Sequence, residues 1–208
     1  MIYFLKHLFH AKGVAYRYDQ LFDEIKIIKP VNIMEIGVWV GDRAKKMIKL
    51  ASQFNPTQSV NYYGFDLFEI MDNAKFKTEI SKQPPNLEYI KNKLKETSAS
   101  INLFKGDTTE TLPKFVKQLP PMDLIFIDGG HSLETIANDW LYTSKLLHTG
   151  SVVIFDDYWP SRTDAGSKVT VDTIDRGQYF VEILPITDFF PNTAFGPLTI
   201  QFAKVVKY

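Results

Sequence analysis

The sequence predicts an α/β protein built on a doubly wound, mostly parallel seven-stranded sheet that finishes in a C-terminal antiparallel hairpin. Three observations predict it. Short runs rich in Val, Ile and Phe alternate with longer segments of helical period, the pattern of parallel strands joined by crossover helices. Five of these runs close on a carboxylate at their C-terminal side. The last two runs, 178–187 and 198–208, have no helix-length segment between them, so they pair antiparallel.

Taken in order, "VNIMEIGV" (31–38) is the first strand, and "DRAKKMIKLASQF" (42–54) its helix, with Ala44, Met47, Ile48 and Ala51 on one face. "VNYYGFDLF" (60–68) is the second strand. "NLEYIKNKLKETS" (86–98) is a helix that starts after Pro84 and Pro85. "INLFKGD" (101–107) and "TLPKFVKQL" (111–119) are the third strand and a short helix. "MDLIFID" (122–128) is the fourth strand, followed by the helix "LETIANDWLYTSKLL" (133–147), which Gly150 closes off. "SVVIFDD" (151–157) is the fifth strand. "QYFVEILPIT" and "LTIQFAKVVKY" form the hairpin, joined by the loop "DFFPNTAFGP" (188–197). The connection 67–85 has no strand period and is long, which suits a lid.

At 208 residues one domain is expected over 30–208, preceded by a helical segment over 1–29. Lys plus Arg and Asp plus Glu both number 24, so no global field recruits nucleic acid or an anionic membrane. The absence of cysteine excludes disulfides, zinc–thiolate sites and a Cys nucleophile, and it fits a reducing, cytoplasmic setting. No apolar run reaches membrane-spanning length. The apolar opening "MIYFLKHLFHAKG" is interrupted by Lys6, His7 and His10 and lacks a cleavage site. It reads as a short docking helix or the cut end of a longer chain rather than a signal peptide.

Ligands of open parallel sheets sit beyond the carboxyl ends of the strands, so the polar residues there carry the functional reading. They are Glu35 with Gly37 and Gly41, Asp66, Asp107, Asp128 with His131, and Asp156 with Asp157. Each carboxylate alone could be a helix cap or an Asx-turn; five in succession on one edge argue for a site. The glycines of "EIGVWVGD" are four apart, with Val38, Trp39 and Val40 between them. A pyrophosphate is poorly served by that spacing, whereas a helix N-terminus behind a tight turn attracts a carboxylate. Asp66 stands where an acid accepts bonds from two ribose hydroxyls. Asp107 either receives an adenine amino group or caps the following helix.

As an ordered set, "NIMEIGVWVGDRA", "YYGFDLF", "LFKGDTTETLP", "FIDGGHSLETIANDW" and "GSVVIFDDYW" resemble the motifs of class I S-adenosylmethionine-dependent methyltransferases. The nearest branch carries D-G-x-H after strand four and D-D-Y after strand five. The resemblance implies a Rossmann-like fold with a reversed last strand. It implies that Glu35, Gly37 and Gly41 shape the methionine side of the cofactor site, that Asp66 holds the ribose, and that Asp107 lies near the adenine, with Asp128 at the same edge. Similarity to the metal-dependent catechol and sugar O-methyltransferases implies a divalent cation, Mg²⁺ or Mn²⁺, on Asp128, Asp156 and Asp157. The catechol type commonly has D-N where this chain has D-D, and some sugar enzymes have a second acid where Gly130 stands.

Such a cation would lower the pKa of an acceptor hydroxyl, and a neutral His131 imidazole could take the proton near pH 7. Gly129 and Gly130 would leave room for substrate. Tyr158, Trp159, Phe189, Phe190 and Phe195 could stack on a flat substrate or a sugar, and Arg162 could meet an anion. The expected activity is O-methylation of a small molecule or saccharide. Its rivals are a metal-independent N- or C-methyltransferase, a non-catalytic nucleoside-binding or assembly subunit, and an NAD-dependent oxidoreductase, the last disfavoured by the missing third glycine. Oligomeric state is not readable from the sequence, which leaves a homo-oligomer open.

Overall fold

The computed structural model describes residues 16–79, 83–193 and 196–208. The opening segment read as a docking helix and Phe195 lie outside them. The chain runs α1 (Arg17–Ile28), β1 (Asn32–Ile36), α2 (Asp42–Phe54), β2 (Asn61–Asp66), α3 (Asn73–Thr78), α4 (Leu87–Leu94), β3 (Ser100–Lys105), α5 (Thr108–Phe115), β4 (Met122–Ile127), α6 (Leu133–Thr143), β5 (Leu147–Tyr158), α7 (Lys168–Asp172), β6 (Tyr179–Ile183), β7 (Asp188–Thr193) and β8 (Gly196–Lys207).

The sheet order is β3-β2-β1-β4-β5-β8-β6, with β7 also paired to β8. β1 through β5 pair parallel, and β8 runs antiparallel to β5, β6 and β7. Strand order reverses at β1 and β4, where Ile36 faces Ile127 and Phe65. That crevice is where an open α/β sheet receives its ligand.

Alternating side chains on the central strands feed two apolar layers, as expected for strands covered on both faces. Ile33, Phe126, Ile154 and Phe202 pack with α1, α2 and α4. Met34, Ile125, Val153 and Ala203 pack with residues of α5, α6 and α7. On α2 the predicted face of Ala44, Met47, Ile48 and Ala51 is fully buried. At roughly 1.5–3 kcal/mol for each large apolar side chain, these layers outweigh any single polar contact in the sheet. α1 belongs to the same core through Leu21 and Ile25, both fully buried.

Two expectations change. The sheet has eight strands rather than seven, because the loop expected over 188–197 contains β7. Pro191 disguised it, since proline argues against a strand except at an edge, and β7 pairs on one side only, with β8. The 67–85 connection holds the short helix α3, which ends near Glu79. Glu79 is anchored across the cleft: its carboxylate accepts bonds from the Ser132 backbone N–H, the Ser132 hydroxyl and the Thr135 hydroxyl, each at 3.0 Å.

Candidate functional site

A cavity of about 650 Å³ opens at the carboxyl ends of the parallel strands. Gly37, Asp66, Asp107, Asp128, His131, Asp156 and Asp157 all line it. Glu35 and Gly41 do not border it. Gly41 is the N-cap of α2, at φ 72°. Glu35 is fully buried under the floor, where Tyr62 donates a hydrogen bond to its Oε2. Burial pushes its carboxyl up to about 8, against the opposing pull of Arg43 and the Tyr62 bond.

The β1–β2 side is built mainly from backbone. Gly37 has φ 90°, and a Cβ there would lie 1.9 Å from the carbonyl oxygen of Asp128. The glycine is therefore required by the neighbouring strand end itself, before any ligand is considered. The Asp66 carboxylate accepts the N–H groups of Trp39 (2.7 Å) and Phe68 (2.9 Å). Burial raises its pKa, and these backbone bonds oppose the rise. Asp107 caps α5 by accepting from Thr109 N–H at 2.9 Å, and it pairs with Lys75 of α3. The capping alternative for Asp107 is thus realised, on the cavity wall.

The β4–β5 side is a cluster of charge. Asp128, Asp156 and Asp157 each present an oxygen, and these lie within 4.8 Å of one another. Each carboxylate also meets a protein cation. Arg43, from the first turn of α2, pairs with Asp128, and Arg17, the first residue of α1, pairs with Asp156. His131 Nε2 lies 2.6 Å from Asp157 Oδ2. Tyr18 donates to Asp156 Oδ2 (2.7 Å) and accepts from Arg43 (3.0 Å), tying the two arginines together. Trp159 donates its indole N–H to Asp157 Oδ1 at 3.1 Å and stacks on the His131 ring, with centroids 5.5 Å apart.

The proton inventory differs from expectation. Burial alone would lower the His131 pKa, but Asp157 and the Glu79 carbonyl, 2.5 Å from Nδ1, outweigh it and hold the ring at about 9. Both ring nitrogens are engaged, so the imidazole is a cation at neutral pH rather than the neutral base anticipated there. Asp157 shows the reciprocal effect. Burial pushes it up, but His131, Arg17 and the Trp159 N–H outweigh that and hold it at about 2.

The glycines after β4 line the cavity and also pass close to other parts of the protein. A Cβ on Gly129 would press on Ile36, and one on Gly130 would strike the Glu79 carboxylate at 2.3 Å. Glu79, at the end of α3, thus occupies the space beside Gly130. Among the expected substrate aromatics, Trp159 and Phe190 line the cavity. Tyr158 instead turns its hydroxyl to Asp172 (3.0 Å), Phe189 is exposed outside the cavity lining, and Arg162 pairs with Asp164.

Arg17, Tyr18, Arg43 and Glu79 were not singled out from the sequence. One signal was present: both arginines sit at helix N-termini, where the helix dipole disfavours a cation. A charge in the wrong place locally points to a partner that only the fold brings near.

Sheet and cavity are the ligand-binding arrangement of open α/β proteins, and the comparisons make the class specific. The chain matches the family described as "Methyltransferase domain" over residues 34–158, more than half its length, and belongs to that family. An uncharacterized protein of Acanthamoeba polyphaga mimivirus is 26% identical over 145 residues, 63% of this chain and 65% of that protein. The chain therefore spans just under two thirds of that relative. The Bacillus cereus O-methyltransferase, solved with S-adenosylhomocysteine, is 16% identical with a TM-score of 0.60, covering 99% of this chain and 87% of that one. The apo TDP-rhamnose 3'-O-methyltransferase of calicheamicin biosynthesis is 20% identical with a TM-score of 0.57, covering 88% and 77%. At such identities the likeness is one of fold. The family match adds that this fold carries a methyltransferase domain.

Proposed function

We propose that the protein transfers a methyl group from S-adenosylmethionine to a hydroxyl of a small molecule or saccharide, assisted by a divalent cation on Asp128, Asp156 and Asp157. The observation that carries this reading is the convergence of three carboxylates within 4.8 Å, in the same cavity as Gly37 and Asp66. The donor set fits a hard cation, since all three ligands are oxygen. The Arg17 guanidinium resting on Asp156 marks the cluster as a place that accepts positive charge. When bound, Mg²⁺ or Mn²⁺ would act as a Lewis acid on the acceptor oxygen.

The chain's own residues account for the rest. Asp66, fixed by two backbone N–H groups, keeps lone pairs for the ribose hydroxyls. Phe190 borders the cavity with an aromatic ring suited to a sugar; the TDP-rhamnose enzyme of similar fold is consistent with such an acceptor. In the reaction the acceptor O–C bond forms as the sulfonium S–C bond breaks, leaving neutral S-adenosylhomocysteine, and the hydroxyl proton departs. His131 can receive that proton only after giving up its own, so its service as base belongs to the alkaline side of about pH 9 in the metal-free cluster.

A second reading, metal-independent N- or C-methyl transfer, is favoured by one observation: each aspartate already holds a protein cation. An acceptor screen with labelled S-adenosylmethionine, run with and without chelator, tests both readings. Turnover on a hydroxyl acceptor that chelator abolishes and Mg²⁺ or Mn²⁺ restores is the expected result. Full turnover in excess chelator would sink the metal-assisted reading.

A further inference from the structure

Two of the three aspartates are paired with arginines of the chain itself, and these two arginines are differently held. Arg17 is 5% exposed. Its guanidinium pairs with Asp156, donates from Nε to Asp188 at 3.1 Å, and lies over the Phe202 and Tyr18 rings at 4.8 and 5.0 Å. Asp156 is saturated by this arrangement. One oxygen meets Arg17 and the Asp157 N–H (2.5 Å), and the other accepts the Tyr18 hydroxyl (2.7 Å). A dication added to this set would meet arginines already paired with Asp128 and Asp156, one of them a guanidinium on its own ligand.

We propose that Arg17 is a tethered cation that competes with a divalent ion for Asp156, so that metal loads only as the guanidinium gives way; the inference rests on the metal-assisted reading above. Two features make Arg17 the group that moves. The helix bearing it need not shift, because Leu21 and Ile25 anchor α1 in the core and Gln20 is pinned to the backbone of Ile186 at 2.9 and 3.1 Å. The released guanidinium also keeps a partner, since Asp188 lies toward solvent, with a side chain 18% exposed against 2% for Asp156. Arg43 pairs with Asp128, and the other carboxylate that acts on it, Glu35, is fully buried under the floor. In the metal-free protein, Arg17 spares the fold an uncompensated buried carboxylate. A hard dication held by several carboxylates can displace a single monovalent group because its attraction to each is doubled.

The test is Mn²⁺ affinity of the full chain, read by electron paramagnetic resonance for wild type, Arg17→Met and Arg17→Lys. Arg17→Met removes the competing charge and should bind Mn²⁺ about tenfold or more tightly than wild type, while Arg17→Lys, which keeps the charge, should stay near wild type. Wild-type crystals soaked in Mn²⁺ should show an anomalous peak among the three aspartates, with the guanidinium moved off Asp156. That map decides the matter if circular dichroism shows Arg17→Met unfolded. Equal Mn²⁺ affinity in wild type and Arg17→Met, or Mn²⁺ and Arg17 together on Asp156, would overturn the competition and leave the metal reading standing. No Mn²⁺ on any of the three proteins would overturn both.

Discussion

The two sides of the cavity are built by different physics. On the β1–β2 side the carboxylates accept main-chain N–H groups: Asp66 takes those of Trp39 and Phe68, and Asp107 that of Thr109 beside its pair with Lys75. On the β4–β5 side Asp128 and Asp156 take side-chain partners from far away in the sequence. Tyr18 and Asp156 are 138 residues apart in sequence, and Arg17 and Asp188 are 171 apart. The first side is a set of strand ends whose carboxylates are held by main-chain N–H groups. The second exists only once α1 has docked on the finished sheet. A local carboxylate can spare lone pairs for a neutral hydroxyl, whereas a buried carboxylate that has gathered a cation is tied to the stability of the whole domain.

The sharpest way to break this contrast is on the long-range side. Asp156→Asn should destabilise the protein by about 3–5 kcal/mol, the range for removing one partner of a buried ion pair, read as a lower urea midpoint. Adding Arg17→Met should recover part of that loss, because no buried guanidinium is then left unmatched. Strict additivity of the two changes in a double-mutant cycle would show that the pair is not coupled.

The β1–β2 side should respond in ligand affinity more than in stability. Asp66→Ala removes charge-assisted acceptors worth roughly 1.5–3 kcal/mol each to a ribose hydroxyl. Calorimetry should show S-adenosylhomocysteine weakened about tenfold or more. Unchanged affinity in a folded variant would remove Asp66 from the cofactor site.

The last test concerns Glu35, beneath the floor, and is read across pH. Its folded pKa of about 8 lies above the ordinary carboxyl value of 4.5, so the native state keeps a proton that the unfolded chain releases. The stability from the neutral carboxyl is fully present below about pH 4.5 and is lost as pH rises through about 8. Glu35→Gln mimics the neutral form and should flatten this slope, so that wild type loses stability relative to the variant between about pH 4.5 and 8 in thermal unfolding. Parallel pH curves for the two proteins would show that Glu35 is ionised in the fold.

Much of this was legible in the chain because it is periodic or local. The buried face of α2 follows from the spacing of Ala44, Met47, Ile48 and Ala51, and the carboxylates at the strand ends follow from where the apolar runs stop. β7 was hidden because Pro191 interrupts a run whose pairing comes wholly from β8. The glycines after β4 were legible as close approaches but not as approaches to Ile36 and Glu79.

By itself, then, the sequence determined the order of the parallel strands and the helices that follow them, the edge that carries chemistry, and the carboxylates Asp66, Asp107, Asp128, Asp156 and Asp157 that stand on it, since hydrophobic period and strand ends are properties of neighbouring residues. Only the tertiary structure decided which charges face one another. Arg17 and Arg43 oppose the dipoles of their own helices, His131 is held as a cation, and Glu79 reaches in from α3. Electrostatic partners are set by distance in space, and nothing local in the chain records that distance.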